Sequence, residues 1–153
     1  MNELKAGDKA PSFTAKDQDG NAITLDQFRG KKVILYFYPK DDTPGCTTEA
    51  CDFRDNYQSL KAKGMEVLGV SVDDEKSHQK FISKHSLPFT LLADTDKQIV
   101  EAYGVWGEKN MYGKKYMGTN RKTFIIDENG NIAHIINKVD TKNASQQVLE
   151  ALA

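Results

Sequence analysis

Residues 31–39 (KKVILYFYP) contain an unbroken run of apolar, β-branched and aromatic side chains, and residues 65–72 (MEVLGVSV) form a second. Runs without polar alternation are the pattern of strands buried on both faces, central in a sheet. Between them Cys46, Ala50, Phe53, Tyr57 and Leu60 recur at steps of four, three, four and three, marking one face of a helix that Gly64 would close. This is a β-α-β unit. A second follows, with a polar helix over 75–84 and a strand over 87–94 whose start Pro88 marks. A helix over 95–103 comes next. Residues 122–126 and 132–139 bracket a DENGN turn, in which Asn129-Gly130 signals a hairpin, and 144–152 reads as a terminal helix.

Ahead of the first buried strand, 13–15 and 22–25 flank a QDGN turn at 18–21, which predicts an N-terminal β-hairpin with Gly20 in an unusual backbone conformation. Parallel units followed by an antiparallel hairpin imply an α/β architecture, a mixed central sheet flanked by helices. Residues 107–120, rich in Gly, Lys and Tyr, lack strong periodicity and read as a long loop of the functional kind. No repeat, linker or low-complexity tract divides the chain, so a single domain over 1–153 is expected.

Composition narrows the functions available. The 153 residues carry 21 Lys and Arg against 22 Asp and Glu, a net charge of -1. Such a chain has no broad field to draw in nucleic acid or an anionic membrane, and neither is expected as a partner. The longest apolar run is too short to cross a bilayer, and the first residues lack the h-region of a secretory signal. The expected location is cytoplasmic. There the two cysteines, Cys46 and Cys51, are more suited to reactivity or metal binding than to a structural disulfide.

Cys46 sits where a buried strand runs into a helix, the position at which open α/β sheets place their ligand chemistry. Thr43 suits the N-cap and Pro44 the first helical position, which puts Cys46 near the third, among free backbone N–H groups. A helix N-terminus can lower a cysteine pKa from about 8.5 into a range of roughly 3.5 to 7.5, and the thiolate is the form that peroxide oxidises to sulfenic acid.

The string Pro39-x-x-x-Thr43-x-x-Cys46, continued by Thr47, Glu49, Cys51, Phe53, Arg54 and Asp55, resembles the peroxiredoxin active-site motif as it occurs in the bacterioferritin comigratory protein or Q-type branch. The opening GDKAPSFTAKDQDG, the GVWGEKNMYGKKYMG segment and the stretch 121–127 are similar to the same branch. The resemblance implies a thioredoxin-like fold and a thiol peroxidase that needs no cofactor or metal. Cys46 would be the peroxidatic cysteine and Cys51 would resolve its sulfenic acid as an intramolecular disulfide. Thr43 would hydrogen-bond thiolate and peroxide, Pro39 would shield the site, and Arg121 would hold sulfur and peroxide oxygen with a planar, permanently charged group. With the backbone N–H groups of Gly45 and Cys46, Thr43 and Arg121 are the donors available to the charge that builds on a departing oxygen. The family also implies hydrogen peroxide and organic hydroperoxides as substrates and thioredoxin or a similar dithiol as reductant; a monomer is expected.

Glu49 is placed either to orient an arginine or to complement the positive helix end. Two other functions compete. A disulfide reductase would call for Cys-x-x-Cys, and four residues separate this pair. A metal module would draw on Cys46, Cys51 and one of His78, His85 or His134, but zinc sites use tighter paired spacings. Ordinary surface or packing roles suit the three histidines. Trp106, Tyr112 and Tyr116 either form a docking surface for a reductant or pack their loop onto the body.

Overall fold

Alternate residues of one strand organise both faces of the molecule. The computed structural model describes residues 3–153. In β3 (Lys32–Phe37) and the residue after it, Ile34, Tyr36 and Tyr38 join one core cluster, and Val33, Leu35 and Phe37 join the other. The apolar run is continuous because neither face of this strand sees water.

The first cluster lies under α1 (Pro44–Ala62), α2 (Glu75–His85) and α4 (Ala144–Leu152). There Ala50, Phe53, Tyr57 and Leu60 of α1 pack on Tyr36 and on Phe89, with the Tyr36 and Phe53 rings 4.8 Å apart. Burying a side chain of this size contributes about 1.5–3 kcal/mol. The second cluster lies under the short α3 (Gln98–Ala102) and takes in Ile99, Val100, Tyr103 and Phe124.

β4 (Met65–Ser71) runs parallel to β3, and β5 (Thr90–Ala93) parallel to β4. β8 (Lys122–Ile126) is antiparallel to β3, and β9 (Ile132–Ile136) antiparallel to β8. The N-terminal hairpin of β1 (Thr14–Lys16) and β2 (Ala22–Thr24) joins the far edge at Lys16 and Ala93, giving the order β2-β1-β5-β4-β3-β8-β9. This is the expected mixed sheet, with its hairpin turns at Gly20 and Gly130 in the left-handed region. Gly69 in β4 is required for another reason. A Cβ there would stand 2.9 Å from the Tyr36 ring and 2.7 Å from Leu91, so the aromatic layer under α1 closes only over a bare backbone.

The expected loop over 107–120 is a correction. β6 (Trp106–Met111) and β7 (Lys114–Thr119) pair in register from Trp106–Thr119 to Met111–Lys114 around Tyr112-Gly113, both with positive φ. That is a two-residue hairpin turn whose twist matches its strands. The ribbon stands apart from the seven-stranded sheet and is buried only at its base, around Trp106 and Thr119, so most of it has no buried face to impose apolar alternation. Three boundaries also move, the first being the end of β9 at Ile136 rather than 139. β5 starts after Pro88 and Phe89, and α3 is confined to Gln98–Ala102 by the Asp94–Lys97 turn.

Candidate active site

α1 begins at Pro44, a residue with no N–H to leave unpaired, and Cys46 is its third residue. The Thr47 N–H bonds back to Thr43 O at 2.8 Å, while the first-turn amides of Gly45 and Cys46 have no intrahelical acceptor. They are open at the end of the helix that carries Cys46. The sulfur itself is almost fully enclosed, with Cys46 1% exposed.

Arg121 arrives from the start of β8, a strand hydrogen-bonded directly to β3, which is why residues far apart in sequence meet here. Its Nη2 donates to Cys46 Sγ at 3.2 Å and its Nη1 to Glu49 Oε1 at 2.7 Å. One planar group therefore bridges two residues of α1 spaced three apart, a geometry the guanidinium fork fits and an ammonium does not. Gly45 makes room for it. A Cβ at that position would stand 3.3 Å from Arg121 Nη2.

Glu49 is fully buried, and Arg121 is its ion-pair partner at 2.7 Å. Burial pushes its carboxyl up to about 7, against the opposing pull of Arg121. Its Oε2 and the hydroxyl of Tyr36 are both buried without a hydrogen-bond partner among the described residues. Burial, then the charge of Glu49, holds the Tyr36 hydroxyl well above its ordinary value. Because the folded Glu49 binds its proton more tightly than the unfolded chain does, its contribution to stability is complete at low pH. It is lost as pH rises from the ordinary carboxylate value through about 7. Denaturation at pH 5 and pH 8 should therefore show the wild type losing stability relative to Glu49→Gln, by as much as a few kcal/mol. A difference between the two proteins that stays constant with pH would refute this.

The other sequence-derived residues are placed as follows. Thr43 holds the N-cap position with extended backbone, but its side chain caps nothing: Oγ1 donates to Lys40 O at 2.9 Å. The expected cap is corrected, because the hydroxyl is spent inside its own loop. Pro39 is half-buried and opens the segment between β3 and α1. Cys51 is a free thiol, half-buried on α1, and faces a shallow depression lined by Thr47, Thr48, Asp55 and Lys142. It stands apart from the Arg121–Cys46 contact.

Lys109, in the hairpin, was not singled out by the sequence. Its Nζ donates to Thr119 O at 2.9 Å, two residues before Arg121, and burial with the nearby Arg121 charge lowers its pKa. His78 is not an ordinary packing residue: it is fully buried and bonded to Asp41 at 2.6 Å. Among the described residues no group of three or more His, Cys, Asp or Glu is placed to hold a metal ion. No helix among them is long and apolar enough to cross a membrane. Trp106 packs against the second core cluster under Lys97, whereas Tyr112 is fully exposed and Tyr116 partly so.

The model of the AhpC/TSA family matches residues 6–135. The chain belongs to this family, the peroxiredoxins. It is 49% identical to Peroxiredoxin Bcp of Escherichia coli over 152 residues, covering 99% of this chain and 97% of that one. Among solved structures, a variant of Xylella fastidiosa PrxQ superposes with a TM-score of 0.92 at 31% identity, covering 99% of this chain and 97% of the other. The Xanthomonas campestris bacterioferritin comigratory protein, solved to address its alkyl peroxide reduction activity, gives 0.89 at 36% identity, with 97% of each chain covered. These relatives place the peroxiredoxin in the bacterioferritin comigratory protein or Q-type branch, with its thioredoxin-like fold, and make it a thiol peroxidase. A disulfide reductase and a metal module are set aside by the same findings.

Proposed function

We propose that this peroxiredoxin reduces hydrogen peroxide and organic hydroperoxides through Cys46, with Cys51 as resolving thiol and thioredoxin or a similar dithiol as reductant, the whole chain acting as one domain. The observation that carries the reading is the contact of Arg121 with the enclosed Cys46 sulfur at 3.2 Å. The Cys46 thiolate attacks one peroxide oxygen. An S–O bond forms, the O–O bond breaks, and the second oxygen leaves as hydroxide or alkoxide, which takes up a proton to give water or alcohol. Arg121 and the open amides of Gly45 and Cys46 stabilise the charge on that departing oxygen. Thr43 and Pro39 belong to the site as the residues that lead into it. Cys51 then attacks the sulfenic sulfur: an S–S bond forms, the S–O bond breaks and water leaves. The dithiol donor returns both sulfurs to thiols and is itself oxidised.

The second step requires motion. Five residues along a helix separate Cα atoms by about 8.6 Å, whereas a disulfide tolerates no more than ~7 Å. Both cysteines lie within α1, so its first turns must unwind before the bond can close. Mass spectrometry of peroxide-treated protein should find Cys46 joined to Cys51 within one chain. Amide exchange should rise across 43–53 in that form and stay unchanged in β3 and β4. A crosslink with 46–51 still fully protected would eliminate the unwinding; no crosslink at all would remove Cys51 from the reaction and leave a one-cysteine mechanism with an external thiol.

A further inference from the structure

The segment between β3 and α1 is tied down very unevenly. Asp41, five residues before Cys46, is buried, and both carboxylate oxygens and its amide are engaged. Oδ2 accepts from His78 Nδ1 at 2.6 Å and from Ser77 Oγ at 2.8 Å, while Oδ1 accepts from the Tyr38 hydroxyl at 2.5 Å. The Asp41 amide donates to Asp73 Oδ2 at 2.9 Å, and Asp73 also accepts from Ser71 Oγ. His78 is completely buried and places its second nitrogen 2.9 Å from Leu92 O. A carbonyl only accepts, so Nε2 donates. With Nδ1 facing a carboxylate, both ring nitrogens point at acceptors, the arrangement that favours an imidazolium carrying both protons. Burial alone would push His78 down, but the hydrogen bond and charge of Asp41 outweigh it and the net shift is upward. The ends of β3 and β4, helix α2 and strand β5 thus converge on one loop residue through charge-assisted bonds.

Downstream the ties are local, exposed or made by Arg121. Thr43 bonds within its own loop and Thr48 to the carbonyl one turn back. Asp42 meets Lys84 and His85 at the exposed surface. Among the described residues the buried ties of the first turns both run from Arg121, one to Glu49 Oε1 and one to the very sulfur that reacts. Oxidation of Cys46 therefore alters the downstream anchor and leaves every group of the upstream one untouched.

We propose that Asp41 and His78 are positioning residues for the Cys46 reaction, forming a fixed post that holds residues 38–41 in both redox states and at which the unwinding of α1 stops. Five residues of extended chain reach at most about 17 Å. A sulfur tethered that closely to the post can travel to Cys51 and still return to its place beside Arg121, ready for the next peroxide, while its approach to Cys51 is set by the four residues between the two cysteines. The inference rests on the assignment of Cys46 and Cys51 above.

Three measurements test it. In wild-type protein the Asp41 amide should be as protected from exchange in the disulfide form as in the reduced form, next to a rapidly exchanging 43–53 segment; loss of Asp41 protection in the disulfide form overturns the proposal. The side-chain ¹⁵N resonances of His78 should keep the imidazolium signature above the ordinary histidine range, in a ring bonded to Asp41 and the Leu92 carbonyl with the Asp73 charge nearby, and a neutral ring at pH 7 overturns it. In single turnover, His78→Gln and Asp41→Asn should each slow Cys46 sulfenate formation by about tenfold without slowing the later disulfide step. The double variant should be no slower than the worse single one, as two halves of one device require. Global weakening of the fold would not separate the steps in this way. Normal sulfenate formation in either folded variant, beside a wild type that oxidises Cys46, removes this inference alone. A wild type that consumes peroxide with Cys46 unoxidised removes the assignment beneath it as well.

Discussion

Cys46→Ser is expected to lower the rate of hydroperoxide consumption by a factor on the order of 10³ or more while leaving the fold in place. The exchange changes one atom. Cys46 is 1% exposed and serine is no larger, so no neighbour of α1 has to move. The buried hydroxyl is not stranded, because Arg121 Nη2, 3.2 Å from the sulfur, can donate to it as it does to the thiol. What is lost is the chemistry, since a hydroxyl stays protonated at neutral pH and is a far weaker nucleophile toward an O–O bond than a thiolate. Stopped-flow consumption of peroxide by the reduced protein, alongside far-UV circular dichroism, reads both halves of the expectation. Near-normal single-turnover rates in a folded variant would show that another group attacks the peroxide.

The sequence revealed the elements whose burial dictates their composition. β3 and β4 announce themselves because both faces are covered, and α1 because Ala50, Phe53, Tyr57 and Leu60 must all reach the sheet. The same logic explains the failure at 107–120, where β6 and β7 pair with each other away from the main sheet and expose Met111, Tyr112, Tyr116 and Met117. Positive φ at Tyr112 and Gly113 was the usable signal, and only the glycine of that pair advertises it. Thr43 illustrates a different limit. Its residue type suits an N-cap, and its position is one, but the choice between capping the helix and bonding Lys40 O is made by loop geometry. His78 was legible in part: it lies three residues before Phe81, on the buried face of an otherwise polar helix. Its partner Asp41 is 37 residues away, a pairing set by the crossover from β4 through α2 and invisible to local pattern.

Arg121→Ala is expected to slow the peroxide step by roughly 10² to 10³, the usual consequence of removing a charged donor from a developing oxyanion. The variant does two things at once, and they can be separated. It removes the bond to Cys46 Sγ, and it also leaves Glu49 fully buried without its one ion-pair partner among the described residues. A carboxylate stranded in this way takes up a proton, so Glu49 should move further above about 7 and the protein should lose stability most sharply at alkaline pH. Adding Glu49→Gln to the variant removes the stranded charge. The double variant should recover stability above pH 7 yet remain as slow toward peroxide as Arg121→Ala, because the neutral amide restores nothing at the sulfur. Arg121→Lys should fall between wild type and alanine, since one ammonium supplies charge but cannot span both Cys46 and Glu49 as the guanidinium does at 3.2 and 2.7 Å. If the rate returned together with stability in the double variant, Arg121 would be a partner for Glu49 and no more; if it stays low while stability recovers, the guanidinium acts on the reacting atoms.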